Sequence, residues 1–265
     1  MGDILNNLFR SEAEELQLLN RLSYVMIFMG IVTFVSLLFE NVPYGRYSNT
    51  KYSFPINAKL AWFLQELPAF VVPLLIVVGM SGAKLSQLPN RLLLLMFFCH
   101  YAQRSLIYPF LIRGGKATPF TSFALAFVFC TINGYMQARY LSHYAEYPAD
   151  WVVNSQFISG SMLWLVGFLI NLHSDHILRN LRKPGETGYK VPVGGLFEYV
   201  SSANFFGEII EWTGFALAGH SVQSAAFAFF TLVVLTSRAG AHHRWYLEKF
   251  EDYPKSRKAV IPFIY

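Results

Sequence analysis

Charge is scarce in this sequence. Only 14% of its 265 residues are Asp, Glu, Lys or Arg, against about 25% in an ordinary soluble domain. With 54% apolar residues, that scarcity excludes a disordered chain, which would be apolar-poor and charge-rich. The two cysteines, Cys99 and Cys130, both lie inside apolar runs, which argues against a disulfide framework. Gly and Pro show no period, which excludes a collagen-like fibre. Absent too are HExxH, CxxC, a Walker loop and a strand–turn–helix GxGxxG. No metal site is therefore expected, and a dinucleotide bound here is not bound by a Rossmann domain. The N-terminal stretch carries Glu12, Glu14 and Glu15 and lacks the basic head and short apolar core of a cleaved signal peptide. It reads as a polar lead into a first membrane helix.

What the chain does have is long apolar runs. A spanning helix needs about 20 mostly apolar residues. Seven stretches are candidates: 22–39, 60–80, 92–112, 120–141, 157–177, 204–218 (short for a full span) and 222–237. The expected fold class is all-α: one polytopic integral membrane domain with seven transmembrane helices. Loop charge sets its orientation. If the fifth-to-sixth connection is cytoplasmic, one side holds Arg46, Lys51, Lys59, Arg113, Lys116, Arg179, Arg182, Lys183 and Lys190. The tail adds Arg238, Arg244, Lys249, Lys255, Arg257 and Lys258 to that side, against Arg10, Arg21, Lys84, Arg91 and Arg139 on the other. This places the C-terminus in the cytoplasm, and the net charge of +5 then reports topology rather than nucleic-acid binding. The polar connection 179–202, with Pro184, Gly185, Gly188 and Pro192, reads as a structured loop. The tail after Ala239, rich in His, Arg and aromatics, reads as a segment that packs on the membrane domain.

Ionisable side chains inside spans are costly and face a cavity or a partner, so they are the functional pointers. Polar packing between helices is the plainer reading of each. Glu66 stands beside Pro68, which removes a backbone donor and bends the helix; a kink next to a carboxylate suits a cavity wall. His100, Tyr101 and Arg104 lie in the third run, with Tyr101 and Arg104 three apart on one face. A tyrosine hydroxyl donates to a carbonyl oxygen when a second polar group supports it, and Glu66 is a candidate for that group. A buried tyrosine that only satisfies its own hydroxyl gives the same pattern. Asn171, Asp175 and Arg179 fall at i, i+4 and i+8, and Arg182 seven after Asp175. They put an amide, a carboxylate and guanidinium groups on one stripe. Arginine forks match phosphate geometry, and a charged helix end at the membrane surface is the plainer alternative. Asn204, Glu208 and Glu211 put two carboxylates in a short apolar helix. Those need cationic or donor partners, from the basic connection or from adenine, ribose and nicotinamide groups. His242 and His243 are adjacent and do not share a helix face, so a zinc pair is not expected.

Several strings carry a resemblance that covers most of the chain from residue 44 onward. They are Ala61-Trp62-Phe63-Leu64-Gln65-Glu66-Leu67-Pro68, His100-Tyr101 with Arg104, and the run 170–185 that opens Ile170-Asn171-Leu172-His173-Ser174-Asp175. Ala203-Asn204-Phe205-Phe206-Gly207-Glu208 and Phe250-Glu251-Asp252-Tyr253-Pro254 continue it. Together they resemble the steroid 5α-reductase family, in the manner of a bacterial or lower-eukaryotic homologue. The resemblance implies a seven-helix membrane reductase that uses NADPH to reduce the C4–C5 double bond of 3-oxo-Δ4 steroids. It implies that Glu66 and Tyr101 are catalytic and hold the steroid 3-carbonyl. It gives the cofactor to Arg104, Asn171, Asp175, Arg179, Arg182, Tyr189, Lys190, Asn204, Glu208, His242 and Tyr246. Residues 21–112 are then mainly the substrate half and 157–265 mainly the cofactor half. The expected partners are a steroid or other apolar small molecule and membrane lipid, with no nucleic acid and a monomeric chain. The expected location is the endoplasmic reticulum or a bacterial inner membrane, with the active site open to the cytoplasm. The alternatives are a related enoyl-CoA or polyprenol reductase, a membrane S-adenosylmethionine-dependent methyltransferase, and a seven-helix receptor or lipid carrier.

Overall fold

Three of the helices begin where the sequence supplies a side-chain acceptor for the orphan N–H groups of a first turn. In the computed structural model, Asn57 accepts from the N–H of Lys59 (3.0 Å), Asn154 from that of Gln156 (2.8 Å) and Ser221 from that of Ser224 (3.2 Å). The structure describes residues 11–39, 53–79, 82–183, 186 and 188–265. The charges at Arg10, Arg46 and Lys51, the end of the second run at Met80, and Pro184 and Gly185 in the polar connection lie outside the described residues.

The helices are α1 (Glu12–Phe39), α2 (Ala58–Glu66), α3 (Pro68–Gly79), α4 (Leu88–Tyr101), α5 (Tyr108–Leu111), α6 (Phe120–Arg139), α7 (Ser155–Asn180), α8 (Ala203–Gly219) and α9 (Val222–Lys249). Two short strands, β1 (Pro55–Ile56) and β2 (Thr118–Pro119), pair antiparallel, Pro55 opposite Pro119. Every run expected from the sequence is helical, but several extend further. The first begins ten residues early at Glu12, and the last continues to Lys249 through His242, Arg244 and Tyr246. Four helical stretches are long and apolar enough to cross a membrane: Glu12–Leu37, Ala58–Gly79, Ser155–Asn180 and Val222–Lys249. α8 has 17 residues and is largely buried between its neighbours, and α6 carries Asn133, Gln137 and Arg139 near its end.

Pro68 opens α3 directly after α2 closes at Glu66, so the kink falls at the carboxylate. The run at 92–112 is not one regular helix. α4 passes at Tyr101 into a π-helical stretch, Ala102–Ile107, before α5. Single π turns inside helices are rare and concentrate at functional sites; this one carries Gln103, Arg104 and Ser105 inward. A second π turn, Tyr140–Tyr144, ends α6.

α7 runs along α8, α9 packs on α1 and α8, and α2 and α3 pack on α6. The core centres on Phe97, Tyr101, Trp212, Phe215 and Phe227. The first turns of α1 are an anchor rather than a free polar head. Glu15, 4% exposed, accepts from Arg139 Nε (2.8 Å) and Nη2 (2.7 Å), Tyr135 Oη (2.8 Å) and Tyr144 Oη (2.6 Å). The tail is tied to the 179–202 connection by backbone bonds, Ser201 N–H to Lys258 O and Lys258 N–H to Tyr199 O, both 2.8 Å.

The α7–α8 contact is backbone to backbone. A Cβ on Gly167 would stand 2.2 Å from Glu211 N, and one on Gly214 would stand 2.3 Å from Trp164 N. Small residues let membrane helices approach this closely, and the gain is dispersion and interhelical hydrogen bonding. Gly167→Ala is expected to force the helices apart and cost about 1–3 kcal/mol. A lowered unfolding midpoint of the detergent-solubilised protein checks this; an unchanged midpoint contradicts the close packing.

Candidate active site

The α7–α8 approach brings Asn171 against the start of α8. Its Nδ2 donates to the Asn204 carbonyl (3.0 Å) and to Glu208 Oε1 (3.2 Å). One turn on, Asp175, 1% exposed, accepts from Arg104 Nη1 at 2.7 Å. Arg104 Nη2 lies 3.5 Å from Glu208 Oε1. The guanidinium is sandwiched by aromatic rings, 4.8 Å from the Trp62 centroid and 4.4 Å from that of Tyr108. One arginine from the π turn thus ties α2, α7 and α8 together, and cation–π contact adds to the ion pairs. The π turn matters here, because it sets Arg104 and Tyr108 to close on one centre.

His100 Nδ1 bonds Glu211 Oε1 at 2.8 Å, both groups buried. Tyr101 follows, 3% exposed, its ring 4.7 Å from Phe97 and 6.0 Å from Trp212. The hydroxyl of this tyrosine has a partner that the sequence did not point to. Its hydroxyl does not meet Glu66; it accepts from Asn133 Nδ2 on α6, at 3.4 Å. Asn133 Oδ1 in turn accepts from Gln137 Nε2 (3.2 Å), which also donates to the Gln223 carbonyl (2.8 Å). Glu66 sits half-buried at the end of α2, its Oε2 taking the Cys130 thiol at 3.7 Å and its Oε1 taking Gln65 Nε2 at 3.4 Å.

The remaining expected residues lie toward the ends of α7 and α9 and in the connection between α7 and α8. Arg179 is half-buried, and Arg182 donates to the Gly188 carbonyl at 3.3 Å. Lys190 pairs with Glu186. Tyr189 meets Trp245 edge-on at 4.9 Å, and His242 lies on Phe205 at 5.4 Å. Tyr246 is packed into the tail, its ring stacked on Tyr253 at 5.2 Å.

Reading the sequence did not single out Asn133, Trp62 or Tyr108. Asn133 and Gln137 are polar residues four apart in an apolar run, and Arg104 and Tyr108 are likewise four apart. That spacing was the available signal. The partnership of His100 with Glu211 had none, since the two are 111 residues apart.

Asn171 Oδ1 and Glu211 Oε2 are among nine buried side-chain oxygens of the described residues that have no hydrogen-bond partner in the protein. An orphaned buried acceptor is costly, so Asn171 Oδ1 suits a ligand that brings an amide or hydroxyl donor. Among the described residues no cluster of His, Cys, Asp and Glu could hold a metal ion.

Four helical stretches long and apolar enough to cross a membrane, together with a buried tyrosine and an arginine–carboxylate lattice between helices, are the features of a membrane protein with a polar interior. The comparisons with known proteins make the class specific. The family model described as 3-oxo-5-alpha-steroid 4-dehydrogenase matches residues 116–265. The Mus musculus protein named 3-oxo-5-alpha-steroid 4-dehydrogenase 1 is 58% identical over 96% of this chain and 99% of its own. The Homo sapiens protein of the same name is 54% identical, over 96% and 97%. The Homo sapiens 3-oxo-5-alpha-steroid 4-dehydrogenase 2 is 51% identical over 79% and 82%. The chain belongs to the 3-oxo-5-alpha-steroid 4-dehydrogenase, or steroid 5α-reductase, family. These relatives are mammalian, whereas the motif strings alone suggest a bacterial or lower-eukaryotic source.

Proposed function

We propose that the chain reduces the C4–C5 double bond of 3-oxo-Δ4 steroids of the progesterone and testosterone type to 5α-dihydro steroids, with NADPH as reductant. The Tyr101 hydroxyl carries this reading. It lies in an apolar core, its oxygen already accepts from Asn133, and its own proton has no acceptor among the described residues. That proton is the one it has to give. When C5 of an enone gains an electron pair, negative charge builds on the 3-oxygen, and a positioned O–H there stabilises it. The Asn133 N–H bond supports the tyrosine oxygen as its proton moves toward the substrate. Glu66, at the kink between α2 and α3, faces the same carbonyl. Solvent supplies the proton that C4 needs.

Bound NADPH would supply the hydride, and the protein would orient it and keep water out. Asn171, Asn204 and Glu208 would hold its nicotinamide end, with Arg104 and Asp175 fixing that wall. Arg179, Arg182 and Lys190 would meet its phosphates, and Tyr189, His242 and Tyr246 would complete the cofactor side. The orphaned Asn171 Oδ1 supports this assignment. Asn171→Ala is expected to raise the KM for NADPH about tenfold, with kcat at saturating cofactor little changed. A fall in kcat alone contradicts it.

We read the α4–α5 stretch, α6 and α8 as spans alongside the four apolar ones, giving seven with the C-terminus in the cytoplasm. An interior helix such as α8 needs no lipid-facing surface, which supports counting it. Residues 21–112 would then serve mainly the substrate, which enters from lipid, and residues 157–265 the soluble cofactor. Purified protein given testosterone, an enoyl-CoA and a polyprenal separates the substrate classes. Heat protection by NADPH but not by S-adenosylmethionine separates the reductase from a methyltransferase.

A further inference from the structure

A second polar centre lies outside this site. The last turns of α9 and the C-terminal segment border an open cleft of about 240 Å³ lined by Gly240, His243, Arg244, Lys258, Ile264 and Tyr265, among others. That is smaller than the roughly 300–1,000 Å³ of pockets for drug-sized ligands and suits one compact group. Its ionisable side chains other than Tyr265 are all basic. No acidic side chain lines it, and among the described residues no carboxylate lies within ion-pair distance of Arg244 or Lys258.

Part of the lining is held in place. Measured from where a Cβ on Gly240 would stand, the Tyr265 hydroxyl is 2.7 Å away and Arg244 Nη1 is 3.6 Å away. Both therefore close over the same backbone spot, an approach that a side chain there would block. His243 is oriented by its Nδ1 bond to Ser201 Oγ (2.6 Å), which leaves Nε2 as its other polar atom. The Lys258 backbone is fixed by its bonds to Tyr199 and Ser201, and the Tyr265 carbonyl takes the N–H groups of Val260 (2.8 Å) and Ile261 (2.7 Å). Beside these cations, Phe263 and Ile264 are each 77% exposed, so an apolar surface adjoins a cationic cleft.

We propose that this cleft binds a phosphate-bearing anion, carried either by a phospholipid head group or by a soluble phosphate, at a site separate from the cofactor's. Arg244 and Lys258 would hold the phosphate oxygens, with the Tyr265 hydroxyl as a neutral donor. The exposed Phe263 and Ile264 would lie against the acyl chains of a lipid ligand.

The test uses the full chain in detergent micelles, with phosphatidic acid, phosphatidylcholine and inorganic phosphate as probes. The wild type should bind phosphatidic acid, and Arg244→Gln/Lys258→Gln should weaken that binding at least about tenfold. Tyr265→Phe, a milder change, should weaken it less. Competition by inorganic phosphate at matching affinity assigns the site to soluble phosphate; no competition assigns it to lipid. Equal binding by wild type and double variant overturns the proposal. So does a tenfold rise in the double variant's KM for NADPH, because the cleft would then be an end of the cofactor site. Loss of steroid turnover in Tyr101→Phe is a separate result and bears on the reaction alone.

Discussion

Tyr101→Phe is expected to lower kcat/KM for steroid reduction by about 10²–10³-fold, the usual cost of removing one oxyanion-stabilising donor. The affinity for NADPH should be little changed. The change is conservative for packing: the ring contacts with Phe97 and Trp212 remain, and only the hydroxyl and its 3.4 Å bond from Asn133 are lost. The loss should appear in the chemical step, since the donor acts on charge that builds only in the transition state. Glu66→Gln should also lower turnover strongly. Because Glu66 makes no bond to the Tyr101 hydroxyl, its effect should not be a mere copy of the tyrosine's. Combining the two variants measures how far they act as a unit. Wild-type turnover in Tyr101→Phe would refute its role as carbonyl donor.

The second large effect concerns stability as well as binding. Asp175→Ala should destabilise the protein by about 3–5 kcal/mol, because it leaves the Arg104 guanidinium buried without its 2.7 Å partner. Whole domains are stable by only about 5–15 kcal/mol, so the variant should unfold at far lower temperature or denaturant. Its KM for NADPH should rise in parallel, since Arg104 spans from Asp175 to Glu208 and Glu208 accepts from Asn171. Asp175→Asn keeps the shape and one acceptor oxygen, and should lose less. Full stability of Asp175→Ala would show that Trp62, Tyr108 and Glu208 suffice to hold Arg104.

The helical architecture was legible because apolar runs of spanning length carry their own signal; over the described residues each is helical, the second as two helices and the third interrupted by a π-helical stretch. The stripe Asn171–Asp175–Arg179 was legible for the same reason: helical spacing fixes which side chains share a face. Two kinds of feature were not. The π turn after Tyr101 has no composition signature, yet it turns Arg104 and Tyr108 to one centre. Contacts between distant helices were also hidden. The pairing of His100 with Glu211, of Tyr101 with Asn133, and of Glu15 with Arg139 depends on how helices pack. The glycines at 160, 167, 207 and 214 that permit the α7–α8 approach look ordinary as letters. Spacing within a helix therefore says which side chains share a face, but not that the Tyr101 hydroxyl would take Asn133 from another helix as its partner.

The most direct test of the central claim is the fate of the transferred hydrogen. Purified protein is given testosterone and NADPH deuterated at the nicotinamide C4 position, and the product is examined by mass spectrometry and NMR. The account predicts a 5α-dihydro steroid with deuterium at C5, formed by the wild type and nearly abolished in Tyr101→Phe. Absence of 5α-dihydro product, or a product without label at C5, would contradict it.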